Sequence, residues 1–333
     1  MRATPSRVAA VCLGLTALMI LSLLIGLWVG TVSITPDQFF AWLGGRLEGA
    51  PAIILGQLRL PRLLLAALVG ACLGISGVVF QAVLRNPLSE PFILGVSGGA
   101  ACGAVCAVLI GVAGLWGQSI LAFGGAVGTV ALVLAIARRR GSMETSTLIL
   151  SGVMINAFFT ALIMFIISTT TDQKLHAILF WLYGDLAAAN LPKVWLLLPV
   201  TLLGGAAVGF YAKHLNLLTA GGQTAAALGV AVERVKLILF LIVSLLVGVT
   251  VSLSGLIGFV GLMVPHLVRM TLGHDHRLLL PASALFGASF LMLADTAART
   301  VISPSALPVG VVTAFLGAPF FVLLLARRGS RWW

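Results

Sequence analysis

Charged side chains are scarce in this sequence. Only 9% of its 333 residues are Asp, Glu, Lys or Arg, whereas 60% are hydrophobic and the mean hydropathy is +1.15. A water-soluble protein of this length carries charge over most of its surface, so the composition excludes an ordinary soluble domain. The apolar residues must face lipid as well as one another, and the 38 glycines are typical of membrane helices that pack closely through small side chains.

Sequence motifs for nucleotide hydrolysis and metal chemistry are also missing. There is no Walker A pattern, no HExxH, no GxSxG and no Cys/His ligand spacing. The four cysteines lie inside apolar runs without a CxxC pair, which favours a packing role. His274 and His276 flank Asp275 in a short polar loop, which leaves metal binding there as a minor alternative. We predict that the chain is not an enzyme and binds no cofactor of its own.

Ten apolar runs have about the length that a membrane-spanning helix requires. The eighth is short and rich in glycine, and the first is interpreted as a retained helix because it is long for a cleaved signal. A further stretch, Ala177 to Ala189, is too short to span and predicts an interfacial or re-entrant helix. The ten runs are residues 8–30, 61–83, 91–112, 118–137, 146–168, 194–212, 235–256, 257–271, 279–300 and 307–326.

The basic residues indicate the orientation of these spans rather than nucleic-acid binding, despite a net charge of +11. They stand singly between apolar runs, and no basic stretch is interleaved with aromatic residues. With the N-terminus inside, fourteen Lys and Arg lie on the cytoplasmic side and six outside, as the positive-inside rule expects. An even number of spans then places both termini in the cytoplasm. The six outer residues are Arg46, Arg59, Arg62, Lys174, Lys193 and Arg299.

Two similar small-residue motifs hint at an inverted internal repeat, a common feature of transporters. Each motif is followed by a phenylalanine and then by a proline, and five helices per half would invert the second copy. The first comprises Gly74–Gly77, Phe80 and Asn86–Pro87, and the second Ser252–Gly255, Phe259 and Val264–Pro265.

Asp295 is the only acidic residue well inside a predicted span, and Arg299 lies one helical turn later. This spacing predicts a structural ion pair near the outer end of the helix rather than a proton relay. The chain therefore has neither an ATPase nor a credible ion-coupling site, and an active transporter of this kind must take its energy from a partner. A stand-alone secondary transporter of a bulky apolar solute and a non-transporting membrane scaffold or sensor remain the alternatives.

A series of motifs in order along nearly the whole chain resembles the FecCD-type permeases, which serve bacterial importers of iron–siderophores, haem and cobalamin. The series comprises Leu58–Arg62, Gly74–Gln81, Asn86–Pro91, Leu94–Ala100, Gly258–His266 and Leu307–Thr313. The resemblance implies an all-α membrane protein of about ten helices, the type II ABC importer permease fold, in one transmembrane domain covering residues 1–333. It also implies the bacterial cytoplasmic (inner) membrane.

The resemblance further implies a set of partners. Two copies of the chain would enclose a single pathway at the dimer axis, and two cytoplasmic ATPase subunits would use ATP and Mg²⁺ below it. A periplasmic binding protein would deliver a siderophore, haem or cobalamin from above. Phe158, Phe159, Met164 and Phe165 would suit a bulky, partly apolar chelate if they line the pathway, and otherwise they face lipid.

Site residues follow from the same resemblance, position by position. The cytoplasmic loop 213–236 would seat in the ATPase, although the acids and the arginine of the family pattern are absent here. Its matching positions are Gly221, Gly222, Gln223, Ala225, Leu228 and Gly229. The cytoplasmic gate would comprise Asn86, Pro87 and Leu88 with Glu144, Thr145 and Ser146, the second group being equally compatible with a helix cap. Arg59, Arg62 and Arg299 would meet acidic residues of the binding protein.

Overall fold

The computed structural model of the chain is helical throughout the part that it describes, which is residues 4–112, 116–139, 145–170, 172–303 and 305–328. No β-strand occurs within those ranges. Fifteen α-helices are present there, together with a π-helix at Ile54–Arg59 and a 3-10 turn at Pro91–Leu94. The α-helices are α1 Pro5–Trp28, α2 Pro36–Leu43, α3 Ala50–Ile53, α4 Leu60–Val83, α5 Val96–Leu109, α6 Gly117–Arg139, α7 Thr145–Thr169, α8 Asp172–Leu182, α9 Leu191–Phe210, α10 Ala212–Ala220, α11 Gly222–Ala227, α12 Val232–Ser254, α13 Val260–Leu272, α14 His276–Thr300 and α15 Val309–Arg328.

Seven of the helical segments are long and apolar enough to cross a membrane, and three shorter apolar helices accompany them. Each of the ten predicted spans overlaps one of these segments, so the predicted fold class is confirmed. The eighth span is short, as expected, because α13 has only 13 residues. The third is also short, since the chain makes a 3-10 turn at Pro91–Leu94 before α5 begins.

A short helix occurs in this region, but it lies earlier in the chain than the predicted interfacial or re-entrant helix. It is α8, Asp172–Leu182, rather than residues 177–189. The helix stops at a turn in which Gly184 has φ +74° and donates its N–H to Trp181 O. This turn starts the short connection that leads to α9, where Asn190 caps the helix by accepting a hydrogen bond from Lys193 N at 3.0 Å.

Helix α4 is the centre of the bundle and packs against α9, α12, α13 and α14. Its most apolar stretch is 78% buried, whereas that of α1 at the periphery is 6% buried. Small residues allow the close approach: a Cβ at Gly77 would collide with the carbonyl oxygen of Gly261 on α13. Two of the motifs that carry the family resemblance are thus in direct contact across the core.

The two motifs that suggested an internal repeat do not occupy equivalent positions. Gly74–Gly77 lies in the middle of α4, whereas Ser252–Gly255 ends α12. Asn86–Pro87 lies in a loop, whereas Pro265 lies inside α13. That part of the sequence interpretation was wrong as a residue-by-residue match, because small residues serve both helix contacts and helix ends. The overall fold class does not depend on it.

Candidate functional site

Two helices, α4 and α14, bring Asp295 and two arginines together near one end of the bundle. Asp295 is fully buried in α14, and its carboxylate accepts hydrogen bonds from Arg62 Nε at 2.9 and 3.0 Å. Arg62 Nη2 lies 2.8 Å from Asp295 Oδ1, and Arg299 Nε lies 3.0 Å from Oδ2. Arg299 Nη2 also donates to Gly26 O of α1 at 3.3 Å. The predicted pair of Asp295 with Arg299 is present, and Arg62 of α4 is an additional partner.

Arg59, the third predicted docking residue, is 5% exposed at the end of the π-helix. Its Nη1 donates to Leu27 O at 2.6 Å and Trp28 O at 3.0 Å, and its Nη2 donates to Val32 O. These carbonyls belong to the last turn of α1 and the segment after it, where helical partners run out. Arg59 therefore holds the C-terminal end of α1 against the bundle.

The three arginines line one cavity of about 350 Å³ together with the loop that follows α8. Three guanidinium groups face a single carboxylate there, so the cavity is electropositive. Arg59 and Arg299 are only 5% and 8% exposed, and the side chain of Arg62 is 11% exposed. Any docking partner would therefore meet guanidinium groups that are already bonded to this chain, and the docking role stays a prediction.

The predicted coupling segment folds into two short helices, α10 and α11, between α9 and α12. Helix α11 ends in a Schellman motif: Val230 N donates to Ala225 O at 3.0 Å, and Gly229 N donates to Ala226 O at 2.9 Å. Gly229 has φ +83°, which glycine adopts without steric penalty. The left-handed backbone of the Schellman motif thus explains why glycine occurs at position 229.

The side chains of α11 divide between an inner and an outer face. Ala225 is fully buried, whereas Leu228 is 63% exposed and Gln223 is also exposed. Gly221 and Gly222 lie at the turn between α10 and α11, where Gly221 has φ +127°. The exposed face carries no charge among residues 221–229, so a partner would bind these residues by shape, apolar contact and neutral hydrogen bonds rather than by ion pairs.

A hydrogen-bonded clamp joins α10 to the start of α14. Asn216 Oδ1 accepts from His276 N at 2.9 Å and lies 2.7 Å from His276 Nδ1, while Asn216 Nδ2 donates to Asp275 Oδ1 at 2.9 Å. Asp275 also caps α14 through Arg277 N at 3.1 Å. Asp275 and His276 thus have structural roles, and no group of three His, Cys, Asp or Glu residues suited to a metal occurs in the described part of the chain. Burial and the nearby Arg269 lower the pKa of His274, which favours its neutral form.

The first predicted gate segment is a tight turn after α4. Asn86 N donates to Gln81 O at 3.1 Å, and Arg85 occupies the left-handed position at φ +50°. Asn86 Oδ1 then accepts from Leu88 N at 2.9 Å, which closes an Asx turn. Pro87 is buried, and Leu88 is 42% exposed. Leu88 is the side chain that this turn presents to its surroundings.

Glu90 links the gate turn to the beginning of α13. Its Oε1 accepts a hydrogen bond from Phe259 N at 2.6 Å, and Phe259 is held in the left-handed region at φ +67°. Pro91 packs against Gly261, where an added Cβ would meet the proline ring at 2.5 Å. Burial raises the pKa of the Glu90 carboxyl, and the hydrogen bond from Phe259 partly offsets that rise.

The second predicted gate segment is only partly visible. Glu144 lies outside the described residues, α7 begins at Thr145, and Ser146 is exposed in its first turn. Helix α7 packs on the 3-10 turn at Pro91–Leu94, immediately after the first gate segment. The two segments are therefore connected through that turn.

A model of the FecCD transport family matches residues 18–327. The chain belongs to this family. The match covers the arginine cavity, both gate segments and the coupling helices. The FecCD assignment gives no support to the alternative of a stand-alone secondary transporter.

Curated relatives of this FecCD chain match over most of its length. The vitamin B12 import system permease protein BtuC of Escherichia coli O139:H28 is 39% identical over 95% of this chain and 94% of its own. The cobalamin import system permease protein BtuC of Halobacterium salinarum is 44% identical over 84% of this chain and 75% of its own. The uncharacterized ABC transporter permease protein YvrB of Bacillus subtilis is 42% identical over 98% of this chain and 96% of its own.

A solved structure of a metal-chelate type ABC transporter in an inward-facing conformation superimposes with a TM-score of 0.85 at 34% identity, covering 96% of this chain and 99% of that one. Together with the relatives, this makes the FecCD chain a multi-pass membrane protein and a permease subunit in the metal-chelate and cobalamin family of ABC importers.

Sequence reasoning missed three links of the candidate site: Arg62 with Asp295, Asn216 with Asp275 and His276, and Glu90 with Phe259. The partners in these links are 233, about 60 and 169 residues apart in the chain. A periodic pattern reports only neighbours on one helix, as it did for Asp295 and Arg299. The one local signal for the second link was the polar His274–His276 loop, which was considered as a metal site instead.

Proposed function

We propose that two copies of this chain form the permease of an ATP-driven importer in a bacterial inner membrane, with both termini in the cytoplasm. A periplasmic binding protein delivers the substrate to the face that holds the arginine cavity. Two ATPase subunits bind the opposite face through α10 and α11. The pathway for the substrate runs along the axis of the homodimer.

The observation that carries this proposal is the placement of two different sites at opposite ends of α14. Its first residues are clamped to α10 by Asn216, beside the exposed surface of α11. Its last turns hold Asp295 and Arg299 at the arginine cavity. A permease that must respond to an ATPase on one side and a binding protein on the other needs such a connection across the membrane.

The substrate we propose is a metal chelate, either cobalamin or an iron complex such as a siderophore or haem. Helix α7 presents large apolar side chains at its surface: Phe158 is 65% exposed, Met164 65% and Phe165 66%. In a homodimer whose pathway these residues line, they would offer low-polarity contacts to a bulky chelate. The B12 import relatives make cobalamin the first substrate to test.

Reconstitution tests the proposal. The permease, its neighbouring ATPase and the cognate binding protein are placed in liposomes, and uptake of labelled cobalamin, ferric siderophore and haem is measured. We expect uptake of one of them only with ATP inside, the ATPase present and the binding protein outside. Uptake without the ATPase, driven by an ion gradient, would contradict the proposal. Cross-linking across the dimer axis reports the homodimer independently.

In this proposal the docking arginines act through the positive electrostatic potential of their cavity rather than as free side chains. An electropositive surface steers an acidic partner and sets its orientation, and this effect weakens as salt rises. Association of the binding protein with the permease in nanodiscs should therefore become weaker between low and high salt. Association that does not change with salt would remove this role for the cavity.

A further inference from the structure

A second cavity, larger and of different character, lies between α9 and α14 on the surface of α4. Its volume is about 610 Å³, and one residue of α1, Met19, contributes to its edge. Helices α9 and α14 each pack against α4, which forms the floor. Residues Ala206 and Gly209 of the lining are exposed, so this groove is open to the surroundings of the protein. It is separate from the arginine cavity and from the coupling helices.

The lining of the groove is almost wholly apolar. Thr201 is its one uncharged polar side chain, and its hydroxyl already donates to Leu197 O at 2.8 Å. Arg277 is its one charged residue and lies in the first turn of α14. The body of the groove is thus suited to an apolar ligand, and a guanidinium group lies at one end.

Arg277 is available to a ligand. Its side chain is exposed, and it takes part in none of the ion pairs found within the described ranges. The nearest carboxylate in sequence, Asp275, instead accepts hydrogen bonds from Asn216 Nδ2 and from the backbone N–H of Arg277. A second basic residue, Arg7 of α1, donates to Leu272 O on the same side of the bundle.

The length of the groove matches one leaflet of a bilayer. Its lining on α14 extends from Arg277 to Ala288, about 17 Å at the helical rise per residue. Half of a typical hydrocarbon core is about 15 Å thick. Arg277 lies at the start of α14, on the side of the bundle where Arg7 of α1 contacts Leu272. If α14 spans the membrane from this end, Arg277 is placed where a lipid of that leaflet would hold its phosphate.

We propose that this groove binds one acyl chain of an anionic phospholipid, with Arg277 on the phosphate. The lipid covers the crevice that α9, α4 and α14 leave open, and so it belongs to the structure of the bundle. This inference does not depend on the transported substrate or on the ATPase. It needs only that these helices cross the membrane.

Native mass spectrometry of the purified full-length chain tests the proposal, with defined lipids titrated in. We expect one tightly retained 1-palmitoyl-2-oleoyl-phosphatidylglycerol and weaker retention of the phosphatidylcholine with the same chains. Arg277→Gln should reduce phosphatidylglycerol retention about fivefold, the effect expected for one basic residue at a lipid surface. Its retention of phosphatidylcholine should be unchanged.

A variant in which a large side chain fills the groove should not retain the lipid. A Cβ at Gly209 has no neighbour within 4 Å, so Gly209→Phe can fill the groove without a backbone clash. Gly14→Phe is the matched control, since Gly14 is also exposed and unobstructed but lies outside the lining. Ala206→Phe provides a second filling variant if Gly209→Phe does not fold.

Three outcomes would overturn the proposal. Wild-type lipid retention in a folded filling variant would show that the groove is not the site. Conversion of a dimer to monomers by the filling variant, with lipid retention unchanged, would assign the groove to a second copy of the chain. Equal retention of both lipids with no effect of Arg277→Gln would remove the role of the arginine and, with it, the anionic specificity.

Discussion

The buried Asp295 should be the most sensitive charged position in the chain. Its carboxylate is fully buried and is held by both Arg62 and Arg299. Asp295→Asn leaves two guanidinium groups near each other in a largely buried site without their counter-charge. Removing one partner of a buried pair typically costs about 3–5 kcal/mol. Arg62→Gln should cost less, about 1–3 kcal/mol, because Arg299 still neutralises the aspartate.

A charge-neutral triple variant separates the loss of contacts from the burial of unpaired charge. Arg62→Gln, Asp295→Asn and Arg299→Gln combined should be less destabilised than Asp295→Asn alone, since no unpaired charge remains among the three positions. Unfolding in mixed micelles of detergent and SDS measures the free energies. Asp37→Asn serves as the control, because Asp37 is exposed and its removal should change stability by less than about 0.5 kcal/mol.

An Asp295→Asn variant within about 1 kcal/mol of the wild type, or a triple variant that is the least stable of all, would refute the role of Asp295 as the counter-charge of the two arginines. The result also constrains tests of docking. Replacing Arg62 or Arg299 by Glu would place a second carboxylate beside Asp295, so lost association in that variant could reflect unfolding. Lysine at those positions keeps the charge, and it gives the cleaner comparison.

Three further predictions concern the coupling turn, the topology and the gate. Gly229→Ala should strain the Schellman turn by about 1 kcal/mol and reduce uptake per ATP hydrolysed in liposomes. Gly14→Ala, at an unobstructed position in α1 outside the coupling segment, should leave that ratio unchanged, and equal coupling in both variants would contradict this. A reporter fused after Arg328 should report cytoplasm and one near Asp172 periplasm, and reports from the same side would exclude the ten-span topology. The pKa of the Glu90 carboxyl is raised in the folded protein. Its contribution to stability is therefore greatest below the unfolded-state pKa and is lost as pH rises through the folded-state pKa. Glu90→Gln should flatten the pH dependence of the unfolding midpoint in that range, and an unchanged profile would contradict the raised pKa.

The membrane-spanning helices could be predicted from the sequence because each depends on a local property. A run of about 20 apolar residues must satisfy its own backbone hydrogen bonds in lipid, and only a helix does so. The predicted span 235–256 and α12, Val232–Ser254, therefore agree within a few residues. The same logic anticipated the pair of Asp295 with Arg299, which are one turn apart.

The boundaries and links that sequence analysis missed depend on contacts from elsewhere in the chain. Residues 91–95 are apolar, yet a 3-10 turn forms there because Pro91 packs on Gly261 and the left-handed Gly95 ends the turn against α7. The left-handed Phe259 has no sequence signal of its own, and its N–H is satisfied by Glu90. Such features can be predicted only when the position of the contacting segment is known.

The pairing of Arg62 with Asp295 has a consequence for how the protein is made. The two residues are 233 positions apart, so at ordinary translation rates roughly 10–50 s separate their synthesis. Throughout that interval α4 is inserted while its arginine and its close-packing glycines lack the surfaces of α13 and α14. Arg62 lies in the first turn of α4, where a long side chain can extend to the membrane surface and stay hydrated. Placing the charge at the helix end thus lets Arg62 stay hydrated before α14 is made, and its pairing with Asp295 becomes possible only after that helix is present.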